Sequence, residues 1–147
     1  MGTLTLPASG SVTIDANTVI YAVEKIEPYA TWLQPLWAKA QAGDLVLITS
    51  ELTWLETLTK PLRDGNTVLE SLFRGFLSAA EVELLPATLS IWEQAARIRC
   101  LGLKTPDALH AATAPVAGCV LFLTNDAGFR RVGELPVTVL EDIAAAP

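Results

Sequence analysis

The chain has 147 residues, of which 51% are hydrophobic and 18% charged, and its formal net charge is −6 at neutral pH. This length and apolar content predict one globular domain, residues 1–147, and exclude a disordered chain. No stretch reaches the roughly 20 apolar residues that a membrane-spanning helix needs. The acidic balance argues against a protein that binds duplex nucleic acid through a basic face, but it is compatible with a nuclease whose carboxylates hold metal ions.

Strand and helix signals alternate along the chain after a short polar lead-in, residues 1–11. Short, mostly apolar runs predict strands at residues 11–15, 45–49, 82–85, 120–124 and 137–140. Apolar periodicity and capping signals predict helices at residues 17–24, 28–42, 50–60, 67–80, 90–101 and 105–115. The third helix is expected to stop before Pro61 and the last to end or kink near Pro115, because proline lacks a backbone donor. This alternation is typical of an α/β sandwich with a mostly parallel sheet.

The sulfur and imidazole content restricts the chemistry. The chain has two cysteines, Cys100 and Cys119, and one histidine, His110, which are too few for a zinc site or a disulfide framework. Both thiols are predicted to be reduced and buried, as in cytoplasmic proteins, and the N-terminal residues do not predict a secretory signal. His110 is expected to be a packed, hydrogen-bonded histidine, with a general-base role as the alternative.

Four carboxylates from distant segments are expected to meet at one edge of the sheet. Asp15 and Asp126 follow predicted strands, Asp107 lies in the first turn of a helix, and Glu56 lies on the helix after the second strand. Ligands gather beyond the carboxyl ends of parallel strands, where loops and helix N-termini converge. Taken singly, each aspartate has a structural alternative as a turn former, an N-cap or a partner of the helix dipole.

The helix after the second strand offers two glutamates. Four leucines form one stripe on it at about 100° per residue: Leu52, Leu55, Leu58 and Leu62. This stripe is expected to face the core. Glu51 falls within it and has a ready structural role at the helix N-terminus, whereas Glu56 falls at its edge. An edge position suits a side chain that looks into a cleft.

Four segments, taken in order, resemble the PIN-domain ribonucleases, and within them the VapC-type toxins of type II toxin–antitoxin pairs. The segments run from residue 12 to residue 129 and read VTIDANTVIY, TSELTWLETL, TPDALHAATA and FLTNDAGF. The resemblance implies a PIN-like three-layer α/β sandwich, with a central, mostly parallel sheet of about five strands flanked by helices. It also implies an acidic pocket that binds Mg²⁺ or Mn²⁺ and hydrolyses RNA.

The resemblance assigns roles to individual residues. Its acidic quartet, catalytic and metal-binding, matches Asp15, Glu56, Asp107 and Asp126, with Glu56 rather than Glu51 as the helix glutamate. Asn17 and Thr124 match polar positions that support the pocket. Several carboxylates in one pocket repel one another, and a hard divalent cation relieves that repulsion.

The same resemblance implies an RNA substrate, an antitoxin protein that blocks the acidic groove, and a homodimer. Single-stranded or looped RNA is favoured, because sequence-specific readers of RNA mostly work on unpaired segments. Four arginines are candidates for backbone contacts, with ordinary surface charges as the alternative: Arg63, Arg74, Arg130 and Arg131. Packing is favoured over base stacking for the four tryptophans: Trp32, Trp37, Trp54 and Trp92.

Two other functions compete with this interpretation. A non-catalytic PIN-like module that binds a protein partner is the main alternative, although an intact acidic quartet weighs against it because clustered like charges are costly. A phosphate-accepting receiver domain also collects carboxylates at strand ends. Such a domain would have adjacent acids on the first strand and a lysine after the last strand, and this sequence has neither.

Overall fold

A parallel sheet of five strands forms the middle layer of residues 2–145, the part of the chain that this computed structural model describes. The strands are β1 (Gly10–Ile14), β2 (Leu45–Ser50), β3 (Val82–Leu85), β4 (Leu121–Thr124) and β5 (Val137–Val139). Their order in the sheet is β3-β2-β1-β4-β5, and every pairing is parallel. The predicted sheet is therefore confirmed. Met1 and residues 146–147 of the predicted domain lie outside the described residues.

Helices connect the strands as the sequence pattern predicts. They are α1 (Ala16–Val23), α2 (Tyr29–Gln41), α3 (Leu52–Asp64), α4 (Thr67–Leu77), α5 (Leu89–Arg99), α6 (Thr105–Val116) and α7 (Glu141–Ala145). A short 3-10 helix, Ala127–Arg131, follows β4. The 3-10 helix and α7 were not among the predicted elements, because each is only five residues long and shows no helical periodicity. None of the helices within residues 2–145 is long and apolar enough to cross a membrane.

One predicted helix end is wrong. Helix α3 continues through Pro61 to Asp64 instead of stopping at residue 60, and it ends at Gly65, which adopts a left-handed conformation. The Pro61 ring is buried on the inner side of the helix, so its apolar contacts offset the backbone hydrogen bond that proline cannot make. Pro115, by contrast, lies one residue before the end of α6, close to the predicted end.

Helices cover both faces of the sheet. The side chains of Leu121 and Leu123 on β4 pack into one core with α1 to α4, whereas Phe122 between them packs into a second core with α5 and α6. Successive strand residues point to opposite faces, so this alternation places one helical layer on each side. The three-layer sandwich is confirmed.

Several packing predictions need correction. Leu4 of the polar lead-in is buried in the first core. Cys100 is exposed and Cys119 only half-buried, rather than both buried, because Cys100 caps the end of α5 and Cys119 lies in the turn before β4; both are free thiols. Of the tryptophans, Trp92 is 47% exposed. The other three pack against the first core as predicted: Trp32, Trp37 and Trp54.

Candidate active site

The strand order creates a crevice beside β1. From β1 the chain moves to β2 and β3 on one side of the sheet, and β4 and β5 lie on the other side. The order therefore reverses between β1 and β4, and the connections leave their carboxyl ends in opposite directions, as in other open α/β sheets that bind ligands there. Ile14 and Leu123 are paired across this boundary, so Asp15 and Thr124 are neighbours at the edge of the sheet.

Asp15 is buried at this edge and held by hydrogen bonds. Its Oδ1 accepts bonds from the backbone N–H of Thr18 (3.0 Å) and from Thr18 Oγ1 (2.8 Å), so Asp15 is the N-cap of α1. Its Oδ2 accepts a bond from Thr124 Oγ1 at 2.6 Å. The carboxylate thus has a fixed orientation. Thr124, which the sequence predicts to support the pocket, donates this bond, and Thr18 is a second donor to Asp15 that the sequence did not single out.

Asp126 is joined to Asp15 through the same threonine. The backbone N–H of Asp126 donates to Thr124 Oγ1 at 3.1 Å. The side-chain Oδ1 of Asp126 accepts a bond from the N–H of Gly128 at 2.8 Å and caps the 3-10 helix. A Cβ at Gly128 would come within 3.0 Å of that oxygen, so glycine allows the close approach. Asp126 itself is exposed.

Asp107 lies in the first turn of α6 and is only partly exposed. Burial raises its pKa, and the negative charges of Asp126, Asp15 and Glu56 raise it further, while His110 acts in the opposite direction. All three other carboxylates predicted for the site therefore act electrostatically on this one group. The N-cap of α6 is Lys104.

Glu56 reaches the site from α3, but not because of a leucine stripe. Leu55 and Leu62 are 62% and 55% exposed. The inner face of α3 is formed instead by Thr53, Thr57, Leu58 and Pro61. The threonines can be buried there because each hydroxyl has a hydrogen-bond partner: Thr53 has Thr49, and Thr57 has the carbonyl of Thr53. Glu56 lies beside this row, and Glu51 is exposed.

His110 is bound to Glu56. Its Nε2 lies 2.6 Å from Glu56 Oε1, and the two side chains are 3% and 30% exposed. The expectation of a packed, hydrogen-bonded histidine is confirmed. The identity of its partner could not be foreseen, because the two residues are 54 positions apart and lie on different helices.

Residues 12–135 match the PIN domain. The chain belongs to the PIN-domain family. No curated protein sequence matches it significantly. Solved structures with a similar fold include VapBC2 from Rickettsia felis bound to a DNA fragment from their promoter, with a TM-score of 0.72 and 18% identity over 88% of this chain and 98% of that chain. VapC20 from Mycobacterium tuberculosis, described as a sarcin–ricin loop cleaving toxin, gives 0.68 and 18% over 83% and 95%. A toxin–antitoxin complex from Klebsiella pneumoniae gives 0.66 and 21% over 87% and 96%.

Cationic side chains border the acidic edge of this PIN domain. A cleft of about 230 Å³ is lined by Asp107 and Asp126 together with Lys104 and Arg131. Lys104 was not singled out by the sequence, although its place immediately before the Asp107 helix gave a usable signal. The remaining candidate arginines are engaged elsewhere: Arg63 with Asp64, Arg74 with Glu70 and the ring of Trp54, and Arg130 with Asp142.

The ligand chemistry at this edge fits a hard divalent cation. The available groups are carboxylate and hydroxyl oxygens, which Mg²⁺ and Mn²⁺ prefer. Within residues 2–145, no three His, Cys, Asp or Glu side chains lie close enough to hold one ion between them. A site with one or two carboxylates and several retained waters is the usual arrangement for Mg²⁺, and these residues fit it.

Asn17, the other polar residue that the sequence predicts to support the pocket, is exposed in the first turn of α1.

Proposed function

We propose that this PIN domain is a divalent-metal-dependent endoribonuclease that hydrolyses phosphodiester bonds in RNA. The observation that carries the proposal is the grouping of carboxylates at one edge of the sheet: Thr124 joins Asp15 to Asp126, and Asp126 lines one cleft with Asp107. Acidic groups gathered at the switch point of an α/β sheet repel one another and are costly without a cation to neutralise them; burial and the neighbouring carboxylates raise the pKa of Asp107. We assign Asp15, Glu56, Asp107 and Asp126 to metal binding and catalysis, with Asp15 and Asp107 as the principal ligands of Mg²⁺ or Mn²⁺.

The other side chains of the site have distinct tasks in this proposal. Thr18 and Thr124 keep the Asp15 carboxylate oriented. Lys104 and Arg131 line the cleft beside Asp107 and Asp126, where they would contact phosphate oxygens of the substrate backbone. When bound, Mg²⁺ or Mn²⁺ supplies a more acidic water and neutralises charge on the phosphate. The more exposed carboxylates, Glu56 and Asp126, are suited to accept the proton of the attacking water.

We infer further that the protein is the toxin of a toxin–antitoxin pair and works in the cytoplasm on single-stranded or looped RNA. Membership of the family and the likeness in fold to toxin–antitoxin complexes support this role. The free thiols are compatible with a reducing compartment. An antitoxin protein would cover the acidic edge.

We also propose a homodimer. Four large apolar side chains on the adjacent helices α3 and α4 are more than half exposed: Leu55, Leu62, Val68 and Leu72. Exposed apolar surface of this kind commonly marks an interface. Sedimentation equilibrium of the purified chain distinguishes a dimer from a monomer.

The decisive experiment is cleavage of a pool of structured RNAs by the purified, antitoxin-free protein, in Mg²⁺ or Mn²⁺ and in a chelator. We expect the wild type to cut RNA only when metal is present. In Asp15→Asn the rate of cleavage should fall about 10²-fold. Asparagine is as good an N-cap as aspartate, so the variant keeps the start of α1 and removes mainly the charge.

Asp64→Asn is the matched control, because it makes the same chemical change at a surface residue. Asp64 is paired with Arg63. It should cut RNA like the wild type. Equal cutting by Asp15→Asn would place the activity elsewhere or in a contaminant. A folded, antitoxin-free wild type that never cuts RNA would favour the alternative, a non-catalytic PIN-like module that binds a protein partner.

A further inference from the structure

Glu56 differs from Asp15 and Asp126 in the kind of group that holds it. Threonine hydroxyls and backbone N–H groups bind Asp15 and Asp126, whereas Glu56 is bound by the imidazole of His110, at 2.6 Å. The two residues come from α3 and α6, which pack against each other. The fixed imidazole of His110 on α6 therefore contacts the long, flexible side chain of Glu56 on α3.

The His110 ring is fixed by its surroundings. His110 is only 2% exposed, and its neighbours along α6, from Ala108 to Ala114, are all buried. Its Nδ1 is buried with no hydrogen-bond partner within residues 2–145. A proton on Nδ1 would have no acceptor there, whereas a proton on Nε2 is donated to Glu56 Oε1. The geometry therefore favours a proton on Nε2 over one on Nδ1.

The Glu56 side chain needs such an anchor. It is 30% exposed, and its freely rotating bonds would let it turn into solvent, away from the other carboxylates that repel it. A hydrogen bond to Oε1 opposes this movement and leaves Oε2 available. Because Nε2 is occupied by Glu56 and Nδ1 is buried, His110 has no nitrogen with which to reach a substrate, which argues against a general-base role.

We propose that His110 is a positioning residue, whose Nε2–H holds the Glu56 carboxylate at the acidic edge so that Glu56 contributes to cation binding and cleavage. The inference rests on the proposed function, since it assigns Glu56 a place in that site. His110 acts only through Glu56. Removing a residue that orients a metal ligand in this way commonly weakens metal binding about 10- to 100-fold.

The test compares two replacements of the same ring. His110→Gln keeps an N–H donor at about the position of Nε2, whereas His110→Leu is similar in size and has none. We expect calorimetry with Mn²⁺ alone to show about 10- to 100-fold weaker binding in His110→Leu, largely restored in His110→Gln, and RNA cleavage to follow the same order. Thr113→Val is the control, because it removes a buried hydroxyl of α6 that bonds only within its own helix, to the carbonyl of Leu109.

A double variant tests whether His110 acts through Glu56. Once Glu56→Ala has removed the carboxylate, adding His110→Leu should weaken Mn²⁺ binding no further. Additive losses would overturn the proposal, and so would His110→Leu binding Mn²⁺ like the wild type. Equal weakening in His110→Gln and His110→Leu, with thermal melts showing both folded, would also overturn it, because loss of ring packing would then explain the effect.

The ring itself provides a readout that needs no metal. Nitrogen NMR of the metal-free protein should show the proton of His110 on Nε2, exchanging faster with water in Glu56→Ala. A proton on Nδ1 would overturn the proposal. If the wild type neither binds Mn²⁺ nor cuts RNA, the proposed function fails and the positioning role falls with it. If the wild type does both and His110→Leu is unaffected, only the positioning role fails.

Discussion

Two aspartates at the same edge of the sheet have opposite surroundings. Asp15 accepts three hydrogen bonds, from Thr18 and Thr124, and caps a helix, so both of its carboxylate oxygens have donors. Asp107 accepts no side-chain or backbone hydrogen bond within the described residues and lies near three other carboxylates, and its pKa is raised. Its place in the first turn of α6 favours the charge, yet burial and like charges outweigh that effect. A bound cation would therefore relieve Asp107 most.

The raised pKa of Asp107 predicts a stability that depends on pH. The folded state holds the Asp107 proton more tightly than the unfolded state, so without metal its contribution to stability is fully present below the ordinary aspartate pKa, about 3.9, and is lost as the pH rises through the raised value. Asp107→Asn cannot ionise and escapes this loss. Urea unfolding in a chelator should find the variant more stable than the wild type at pH 7, with the difference disappearing in acid.

Bound metal should have the opposite effect on the relative stability of the wild type and Asp107→Asn. Millimolar Mg²⁺ is expected to stabilise the wild type through binding to the folded state, and to stabilise Asp107→Asn less. If the wild type is instead more stable than Asp107→Asn at pH 7 in the chelator, the assignment of a raised pKa to Asp107 is contradicted.

Sequence patterns located these residues but not their partners. Asp15, Asp107 and Asp126 could be found because each stands at a strand end or in a first helical turn, positions that chain order alone reveals. The bond from Thr124 to Asp15 joins residues 109 positions apart, and the bond between His110 and Glu56 joins residues 54 positions apart. Such pairings follow from strand order and helix packing, which no single segment contains.

At the scale of elements, a chain of buried hydroxyls ties α3 to the centre of the sheet. Thr49 Oγ1 donates to the carbonyl of Ile14 at 2.8 Å, and Thr53 Oγ1 lies 2.6 Å from Thr49 Oγ1. Because the Thr49 proton is used on Ile14, Thr53 is the donor in the second bond. The network links the residue before Asp15 to the helix that carries Glu56, so it fixes the position of α3 relative to the end of β1.

The same helix shows why the prediction that the leucine stripe faces the core was wrong. Apolar periodicity assigns leucines to the core, whereas here two threonines with satisfied hydroxyls share the inner face with Leu58 and Pro61, and Leu55 and Leu62 are left exposed. The five strands and helices α1 to α6 were predictable, since their signals are local. The rotation of α3 about its axis depends on hydrogen bonds between elements, which periodicity does not register.

Two buried threonines on neighbouring central strands give a matched pair of variants. Thr49→Val leaves the Thr53 hydroxyl and the Ile14 carbonyl without their partner and should lower the free energy of unfolding by about 1–3 kcal/mol. Thr13 is equally buried, but its Oγ1 has no hydrogen-bond partner within residues 2–145. Thr13→Val should therefore change stability by less than about 0.5 kcal/mol or increase it. Urea unfolding of both variants measures the difference, and equal losses would contradict the network.

At the scale of the whole molecule, the net charge of −6 opposes the binding of RNA. A polyanion can approach only where local cations outweigh the mean field of the protein. Among the arginines proposed from the sequence, Arg131 lines the cleft with Asp107 and Asp126, whereas Arg63 is paired with Asp64 at the end of α3 and does not line that cleft. Arg131 and Lys104 thus give the acidic edge a cationic border, and the carboxylates need not face the phosphates alone.

This arrangement predicts how salt affects RNA binding. Measured on the Asp15→Asn background so that RNA stays intact, Arg131→Gln should weaken the binding of a single-stranded RNA and reduce the slope of log K against log salt by about 0.7, the value for one phosphate contact on a single strand. Arg63→Gln removes the same charge from the whole molecule and should leave the slope unchanged. If both variants change the slope equally, the mean charge governs binding. If only Arg131→Gln does, the substrate backbone crosses the border of the acidic edge.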